Sequence, residues 1–410
     1  MKKVLIVSYD VNPNLGSEAG TAHFWLLAIA EHYDIDVFVH GKHREDIETY
    51  PYPENIHFSF VKTDPRKETE YARIKRYDKV NQLFLDAVEK TFIERTRSGE
   101  YELVHFLSPS SIFAYNDFFK KANFKYVVGP LGGGLPTPRG FGNLFSLVEK
   151  ASNFFRSVYY RILNNTPNYR KYLKKASRII IGTDYLYKYL PAKTHGRTII
   201  QFDTLVDTAQ STEPVCADTD SKSIKIIFTG RLVPTKGIAM LIEALRRIQS
   251  YRPDLMEKLY LDVFGDGTLK HRIISKIAEY GLQGIVAIHG NVSRQDVLGK
   301  LATSDIYCLP TIREPGGGAI LEAMAAGLPI ITSDYGGPKF SVTDDCGIKI
   351  PVDNYDNYVR NLAEAIIKLA EDDPLRRKMG EAARKRVREN FSLEALKKRI
   401  PEIYEGVENE

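Results

Sequence analysis

Residues 305–332 read DIYCLPTIREPGGGAILEAMAAGLPIIT, and this stretch predicts the fold. We expect an apolar strand over 305–309, a glycine-rich loop, a helix over about 318–326 and a second strand over 328–332. Short apolar strands that alternate with helices are typical of βαβ units with parallel strands. Strands of the same kind precede the stretch at 224–229, 259–264 and 285–289. We therefore predict an α/β domain with a doubly wound, Rossmann-like parallel sheet.

The loop in this stretch is suited to holding an anion at the carboxyl end of its strand. Gly316, Gly317 and Gly318 disfavour regular structure and bring backbone N–H groups within reach of a ligand. The helix that begins near Gly318 points its positive end at the loop, which favours a bound phosphate. Glu322, expected in the first helical turn, can accept hydrogen bonds from a ribose diol, and Glu314 from a sugar ring. The alternative is a plain turn followed by a carboxylate that complements the helix dipole.

A second motif, TGRLVPTKG over 229–237, directly follows the first strand of the same domain. Lys236 stands at the start of the next predicted helix, where the helix dipole repels a cation. A diphosphate bound beside Gly230 would remove that repulsion. It would also satisfy Arg231, whose planar guanidinium suits phosphate oxygens. The alternative is a pair of surface cations.

The first half of the chain repeats the alternation less regularly. A loop that contains Gly16 precedes a helix over 20–33, so its amides can reach a phosphate, unless it is a simple βα turn. A long polar helix is expected near 68–97. Strands are expected at 3–8, 35–39, 102–106, 124–128, about 178–181 and about 198–201.

Domain boundaries follow from a stretch without periodicity. Residues 206–223 are rich in Ser, Thr and Asp, which is typical of an interdomain linker. We predict a Rossmann-like domain over 1–205, a second over 206–390, and a terminal helix within 391–410. Two such domains that face a cleft would bind ligands beyond the carboxyl ends of their strands.

Composition excludes several classes of protein. The chain has 410 residues, 43% of them hydrophobic and 27% charged, so it is neither disordered nor fibrous. No run of 18 apolar residues predicts a membrane span, and the first apolar run is too short for a signal peptide. The three cysteines have no metal-ligand spacing and fit a reducing cytoplasm, so no metal site is predicted.

The net charge of +5 is unevenly distributed. Residues 1–205 carry 29 basic and 22 acidic side chains, whereas residues 206–410 carry 28 and 30. Much of the excess lies in residues 139–178, with nine basic residues, one acidic residue and eight aromatic residues. Such a segment can rest on an anionic membrane surface. The alternative is a solvated helical pair with its apolar face on the core. No recognition motif supports nucleic acid as the partner.

The two motifs of the second half resemble those of the retaining glycosyltransferases of family four, which have the GT-B fold. The resemblance rests on Gly230-Arg231-Leu232 with Lys236-Gly237, and on the run from Glu314 to Pro329. It covers the C-terminal half closely and the N-terminal half loosely. It implies two Rossmann-like domains, a last helix that braces the N-terminal domain, and sugar transfer with retention and without a bound metal or other cofactor.

The resemblance also implies roles for residues of the second domain. Arg231 and Lys236 would bind the donor diphosphate and stabilise the leaving group. Glu322 would hold the ribose, and Glu314 the donor sugar. The amides of Gly317 and Gly318 would assist Glu314, and the backbone near Asn291 and Val292 would face the base of a UDP or GDP donor. Gly316 stands where the family usually has an aromatic residue, and this departure leaves the identity of the donor sugar undetermined.

In the N-terminal domain the resemblance is less specific. His105 corresponds to a family histidine that interacts with donor sugar and acceptor, but it is equally a candidate for a structural histidine. Gly132, Gly133 and Gly134 resemble a glycine-rich element of a subset of the family. They would border the acceptor, or form a flexible lead into the basic segment.

Together these features predict an enzyme that moves a hexose-type sugar from a nucleoside diphosphate to a hydroxyl acceptor. The acceptor would be a lipid-linked or cell-surface glycan intermediate at the inner membrane face. The alternatives are a nucleotide-sugar epimerase, a phosphorylase, or a catalytically silent partner subunit. An epimerase would need no acceptor, and a phosphorylase would show pyridoxal phosphate absorbance.

Overall fold

The computed structural model describes residues 1–15, 17–74, 76–112, 114–202, 204–206 and 223–408. The chain folds into two compact units, each built on one parallel sheet. The first comprises Met1–Gly134, Arg156–Leu205 and Leu393–Glu410, and the second comprises Leu135–Phe155 and Val206–Ser392. The stretch 135–155 therefore interrupts the predicted domain 1–205. Most of the predicted linker lies outside the described residues.

The first unit contains seven parallel strands in the order β3-β2-β1-β4-β5-β6-β7. The strands are β1 (Lys3–Ser8), β2 (Asp34–His40), β3 (Ile56–Val61), β4 (Tyr101–Ser108), β5 (Tyr126–Leu131), β6 (Arg178–Ile181) and β7 (Thr198–Ile200). The helices up to β7 are α1 (Ser17–Ala30), α2 (Arg44–Thr49), α3 (Pro65–Arg73), α4 (Tyr77–Arg97), α5 (Leu147–Asn164) and α6 (Pro167–Lys175). Of these, α5 begins in the second unit and ends in the first.

Two predictions for this unit need correction. The expected long helix near 68–97 is two helices, α3 and α4, separated after Arg73. The prediction also omits β3, in which Ile56 and Phe58 alternate with His57 and Ser59. That alternation is the pattern of a strand with one exposed face, and β3 lies at the edge of the sheet.

The core of the first unit is completed by the end of the chain. Helix α15 (Leu393–Glu408) places Leu396, Ile400, Ile403 and Val407 at helical spacing, and all four are buried. They belong to the same apolar cluster as residues of β1, β2 and α1. The last helix is therefore an integral part of the first unit.

The second unit contains six parallel strands in the order β10-β9-β8-β11-β12-β13. The strands are β8 (Ile224–Thr229), β9 (Leu259–Phe264), β10 (Val286–Gly290), β11 (Ile306–Leu309), β12 (Ile330–Ser333) and β13 (Gly347–Ile350). The helices are α7 (Ile238–Tyr251), α8 (Pro253–Met256), α9 (Lys270–Glu279), α10 (Arg294–Leu301), α11 (Gly318–Ala325), α12 (Gly336–Ser341), α13 (Tyr355–Glu371) and α14 (Asp373–Asn390). Strand β11 is buried at every residue, as expected for a strand covered on both faces.

Side chains of the second unit explain why residues 135–155 pack with it. The ring of Phe141 is fully buried and meets Tyr358 of α13 edge-on at 5.5 Å. Arg313 donates a hydrogen bond of 2.9 Å to Asn153. These partners lie far away in the sequence, so the division could not be deduced from local pattern.

Candidate active site

The strand order of the second unit creates a crevice between β8 and β11. These two strands are neighbours, but the chain continues from β8 to β9 on one side and from β11 to β12 on the other. At such a switch point the loops after the two strands diverge, and ligands bind beyond the carboxyl ends. Both predicted motifs directly follow these two strands.

The loop after β8 carries the two predicted cations. Gly230 has a φ of +150° and Gly237 a φ of +79°, backbone conformations that favour glycine. A Cβ at Gly237 would also collide with the carbonyl of Pro310, so helix α7 starts tightly against the β11 loop. The guanidinium of Arg231 is exposed and makes no hydrogen bond or ion pair with any residue that the structure describes. It is therefore available to an anionic ligand.

The loop after β11 ends in an uncapped helix. Gly317, with a φ of +126°, is the N-cap of α11 and offers no side-chain hydrogen bond to the first turn. The backbone N–H groups at the start of a helix have no partners within the helix. The loop and the first turn of α11 therefore have backbone donors to offer an anion, and the role of Gly316, Gly317 and Gly318 toward a donor stays a prediction.

The two loops meet in an ion pair. The ammonium of Lys236 donates to Oε2 of Glu314, 78 positions later in the chain. The side chains retain only 17% and 14% of their exposure. The Lys236 stem also runs beside Gly230, since its Cδ is 3.8 Å from the position a Cβ would take there. Three of the predicted donor-binding residues are thus brought together.

Glu322 lies near the same edge but not where it was predicted. The helix begins at Gly318, as predicted, but Glu322 is its fifth residue and therefore lies in the second turn. The prediction of a first-turn carboxylate was wrong. Its Oε1 accepts hydrogen bonds of 3.0 Å from the guanidinium of Arg294 on α10, which fixes the carboxylate and leaves Oε2 for a ligand.

Asn291 and Val292 follow β10 at the same end of the sheet. Gly290 has a φ of +73°, and both residues after it are exposed. Ser293 then caps α10 by accepting a hydrogen bond from the amide of Asp296. No contact in the described part of the chain brings Asn291 or Val292 against the Lys236–Glu314 pair, so their role toward a base stays a prediction.

The sequence analysis missed two glycines that support the β11 loop. Gly337 donates its amide to the carbonyl of Glu314 at 2.9 Å, and a Cβ there would collide with the carbonyl of Gly316. Gly336 has a φ of +65° and packs against the Glu314 carbonyl. A Gly-Gly pair just after a buried strand was the available signal.

The first unit contradicts the predicted catalytic role of His105. The ring is fully buried in β4, and both of its nitrogens are bonded. Nε2 donates to the carbonyl of Gly129 and Nδ1 accepts from the hydroxyl of Tyr404, both at 2.7 Å. Burial lowers the pKa of His105 to about 4. It is a structural histidine, because neither nitrogen is free to reach a substrate.

The remaining residues predicted as site residues in the first unit are glycines, namely Gly16, Gly132, Gly133 and Gly134. Gly16 lies outside the described residues. Gly132 takes part in an isolated bridge with Ser111. The carbonyls of Gly133 and Gly134 accept hydrogen bonds from Tyr185 and Tyr189, at 2.5 and 2.7 Å. This loop is thus held by side chains, and its acceptor role stays a prediction.

A carboxylate occupies the start of α1 in the first unit. Glu18 lies in the first turn and accepts hydrogen bonds from the Ser108 hydroxyl at 3.0 Å and the Ser110 amide at 2.5 Å. Burial raises the pKa of the Glu18 carboxyl. The predicted phosphate contact at this turn is therefore disfavoured, because an anion of the protein already lies there.

Sequence comparison now identifies the domain that holds the site. Residues 213–386 match the family of glycosyl transferases group 1. The chain is 28% identical over 266 residues to an uncharacterized glycosyltransferase, MJ1069, of Methanocaldococcus jannaschii. This alignment covers 64% of this chain and 64% of the relative. It is 29% identical over 246 residues to the GDP-mannose-dependent monoacylated alpha-(1-6)-phosphatidylinositol monomannoside mannosyltransferase of Corynebacterium glutamicum, covering 58% of this chain and 60% of that one. The matches span less than two thirds of those relatives.

Solved structures resemble the whole chain. Sucrose-phosphate synthase of Thermosynechococcus elongatus has a TM-score of 0.65 at 17% identity and covers 99% of this chain and 98% of its own. Anabaena Alr3699/HepE in complex with UDP has a TM-score of 0.61 at 17% identity, covering 99% and 100%. The predicted α/β fold with two Rossmann-like domains of the GT-B class is confirmed. The part of the chain that matches the glycosyl transferases group 1 family lies in the second unit, which holds the Lys236–Glu314 pair.

Metal-ligand clusters and membrane-spanning helices are both absent from the residues that the structure describes. Among them, no group of three or more His, Cys, Asp or Glu side chains is arranged to hold a metal ion. None of the helices in the same residues is both long and apolar enough to cross a bilayer.

Proposed function

We propose that the protein transfers a hexose from a nucleoside diphosphate sugar to a hydroxyl acceptor, with retention of the anomeric configuration. The observation that carries the proposal is the meeting of the β8 and β11 loops in the Lys236–Glu314 ion pair, at the switch point of the second sheet. A donor that bridges the two loops would contact both motifs at once.

Each group at this edge has a definite task toward such a donor. Arg231, Lys236 and the uncapped start of α11 place positive charge where the departing diphosphate accumulates negative charge, and such stabilisation commonly contributes most to catalysis. Glu314 would bind sugar hydroxyls. Glu322, oriented by Arg294, would bind the ribose. We propose that this charge makes a bound metal or other cofactor unnecessary.

The names of similar proteins support two donor types. The Corynebacterium relative is named for GDP-mannose, and the Anabaena structure holds UDP. We infer a UDP or GDP sugar bound with its base toward Asn291 and Val292. Binding stabilises a protein by RT ln(1 + [L]/Kd), so the true donor should raise the melting temperature most in a panel of nucleotide sugars.

Arg231→Ala tests this donor site. Because the Arg231 side chain is exposed and makes no hydrogen bond or ion pair with the residues that the structure describes, its removal should leave stability unchanged while abolishing the thermal shift with the best donor. Arg388→Ala is the matched control, since Arg388 is also exposed and lies on α14 of the same unit. An undiminished shift in Arg231→Ala contradicts the diphosphate site. Conversion of the donor into an isomeric nucleotide sugar without an acceptor would instead favour an epimerase, and binding without turnover on any acceptor would favour a silent subunit.

We propose further that the enzyme is peripheral at the inner membrane face, where it meets a lipid-linked or cell-surface glycan. Helix α5 supports this, because Phe154, Phe155, Val158 and Ile162 recur at helical spacing on one face and are 65, 69, 39 and 62% exposed. The surrounding segment 139–178 is strongly basic. Exposed apolar side chains with flanking cations suit an anionic bilayer, and each buried phenylalanine contributes about 1.5–3 kcal/mol.

Vesicle flotation tests the membrane proposal. The protein should float with phosphatidylglycerol-containing vesicles at low salt. The double variant Phe154→Ser/Phe155→Ser should lose about 3 kcal/mol or more of binding, which is about 100-fold in partitioning. Tyr251→Ser is the control, since Tyr251 on α7 is 72% exposed outside the segment. A wild-type protein that stays in solution contradicts the proposal.

A further inference from the structure

The residue that precedes Glu314 connects the β11 loop to helix α5. Nη1 of Arg313 donates hydrogen bonds to Oδ1 of Asn153 at 2.9 Å and to Oγ1 of Thr137 at 3.5 Å. Asn153 lies on α5, Thr137 lies in the stretch before that helix, and both belong to the second unit. The partners are 160 and 176 positions away in the chain, so the loop is held here by tertiary structure.

Two further contacts pack the same stretch against residues that support Glu314. The hydroxyl of Tyr335 donates to the carbonyl of Pro136 at 3.0 Å. Cδ2 of Leu135 is 2.5 Å from the position that a Cβ would take at Gly336, so these two residues are in close contact. Gly336 also packs against the Glu314 carbonyl. The stretch before α5 and the β11 loop are therefore packed together at several points.

The β11 loop has few side chains of its own with which to hold Glu314 in place. Gly316, Gly317 and Gly318 follow Glu314 closely and have no side chain that could anchor the loop. The carboxylate of Glu314 is attached to that backbone, so its position follows the position of the loop. The hydrogen bond from Arg313 thus supplies an anchor that the following residues lack.

Asn153 lies on the face of α5 that is turned away from its exposed apolar side chains. With 3.6 residues per turn, Asn153 is about 160° from Phe155 and about 140° from Val148 around the helix axis. Both of these apolar side chains are exposed. The contact with Arg313 is therefore on the protein side of α5, where it persists when the apolar face is covered.

We propose that Arg313 is a positioning residue of the donor site, which holds the β11 loop through Asn153 so that the Glu314 carboxylate meets the sugar of the donor. The inference rests on the proposed function, because that function assigns the sugar hydroxyls to Glu314. The diphosphate is assigned to Arg231 and Lys236 of the β8 loop. The loss of the Arg313–Asn153 hydrogen bond should therefore affect the sugar half of the donor more than the diphosphate half.

Calorimetric titration of the full chain with matched ligands tests this role. The probes are UDP-glucose, UDP-N-acetylglucosamine and GDP-mannose, each compared with UDP or GDP alone. In Arg313→Ala the sugar nucleotide that binds best should lose about tenfold in affinity, because the loop holds Glu314 in place for a smaller fraction of the time. The matching nucleoside diphosphate should bind within about twofold of wild type, since the β8 loop and the buried helix α11 hold it without Glu314. Equal affinity of Arg313→Ala and wild type for the sugar nucleotide overturns the proposal.

Variants of Asn153 show whether the hydrogen bond itself is responsible. Asn153→Asp keeps an acceptor for the guanidinium and should bind both ligands as wild type does, whereas Asn153→Leu should reproduce the loss seen in Arg313→Ala. Arg247→Ala is the matched control, since Arg247 is also partly buried in the second unit and pairs with Asp356 of α13 at 3.9 Å. This control should bind both ligands normally. Equal weakening of both ligands in Arg313→Ala and in the control would indicate general damage to the fold and overturn the proposal.

Hydrogen exchange of the ligand-free chain provides a test that needs no donor. The amide of Gly337 donates to the carbonyl of Glu314 at 2.9 Å, so its exchange rate reports the order of the loop. In Arg313→Ala this exchange should be about tenfold faster, because the loop opens more often. Asn153→Asp should match wild type. Unchanged protection of the Gly337 amide in Arg313→Ala would show that the arginine does not order the loop.

A double-variant comparison separates this inference from the proposed function. Glu314→Gln should weaken the sugar nucleotide about as much as Arg313→Ala, and the double variant should be no weaker, because both changes affect one contact. Losses that add up in the double variant overturn the action of Arg313 through Glu314 and leave the proposed function intact. A wild-type protein that binds none of the three sugar nucleotides contradicts the proposed function, and hydrogen exchange decides the role of Arg313 in either case.

Discussion

The two units share a strand order and differ in what occupies the switch point. In the second unit the loops after β8 and β11 present Arg231, Lys236 and a helix start without a side-chain cap. In the first unit the corresponding strands are β1 and β4, and Glu18 bridges from α1 to Ser108, the last residue of β4, and to Ser110 just after it. The same topology thus provides one crevice suited to an anion and one already occupied by a carboxylate.

This difference shows that fold gives the location of a site and side chains give its chemistry. Both helix starts attract negative charge through the backbone. In the first unit the negative charge is supplied by the side chain of Glu18. In the second unit no side chain caps the helix start, and we propose that a ligand supplies the negative charge.

The strongest test of the contrast is Lys236→Ala. This substitution removes a cation from the switch point of the second unit, where the diphosphate is proposed to bind. Loss of an electrostatic partner of the leaving group should lower kcat about 100- to 1,000-fold, with a smaller effect on stability. Steady-state transfer or donor hydrolysis measures it. Activity within a few fold of wild type would remove Lys236 from leaving-group stabilisation.

His105 offers a second test, through the pH dependence of stability. Its pKa in the folded state is about 4 against an ordinary value of 6.5, so the unfolded chain binds the proton more strongly. The stability is complete above pH 6.5 and is lost as pH falls toward 4, by about 3 kcal/mol at most. Denaturation of His105→Phe should lack this slope. Kinetics of the folded variant supply the second measurement, since a kcat near wild type agrees with a structural role.

The smallest effect is expected from Glu18→Gln. Burial raises the folded pKa of Glu18 above its ordinary value of 4.5, so its contribution to stability declines as pH rises above 4.5. The glutamine variant, which does not titrate, should therefore gain stability relative to wild type over that rise. Donor affinity should not change. A markedly tighter donor complex in Glu18→Gln would show that the first switch point also binds phosphate.

Much of the second unit could be predicted because its signals are local. The strand predicted at 224–229 is β8, and the glycine-rich loops that bracket the switch point follow their strands directly. Topology then brings Lys236 and Glu314 together although 78 positions separate them. The start of helix α11 was also predicted correctly, and the error at Glu322 concerned only its place in that helix, which is the second turn rather than the first.

The first unit was harder because its decisive contacts are long-range. The state of His105 depends on Tyr404, 299 positions away. Whether Glu18 is a solvated helix-start residue or a buried bridge depends on Ser108 and Ser110.

The placement of α15 has a consequence for biosynthesis. Its apolar residues and the Tyr404 hydroxyl complete the interior of the first unit, yet a ribosome makes them only after every residue of the second unit. The second unit has all of its residues by Ser392 and can assemble while the nascent chain is still attached. The unit translated first is therefore the one finished last, and a chain cut short before residue 393 would leave its N-terminal sheet with an uncovered apolar face.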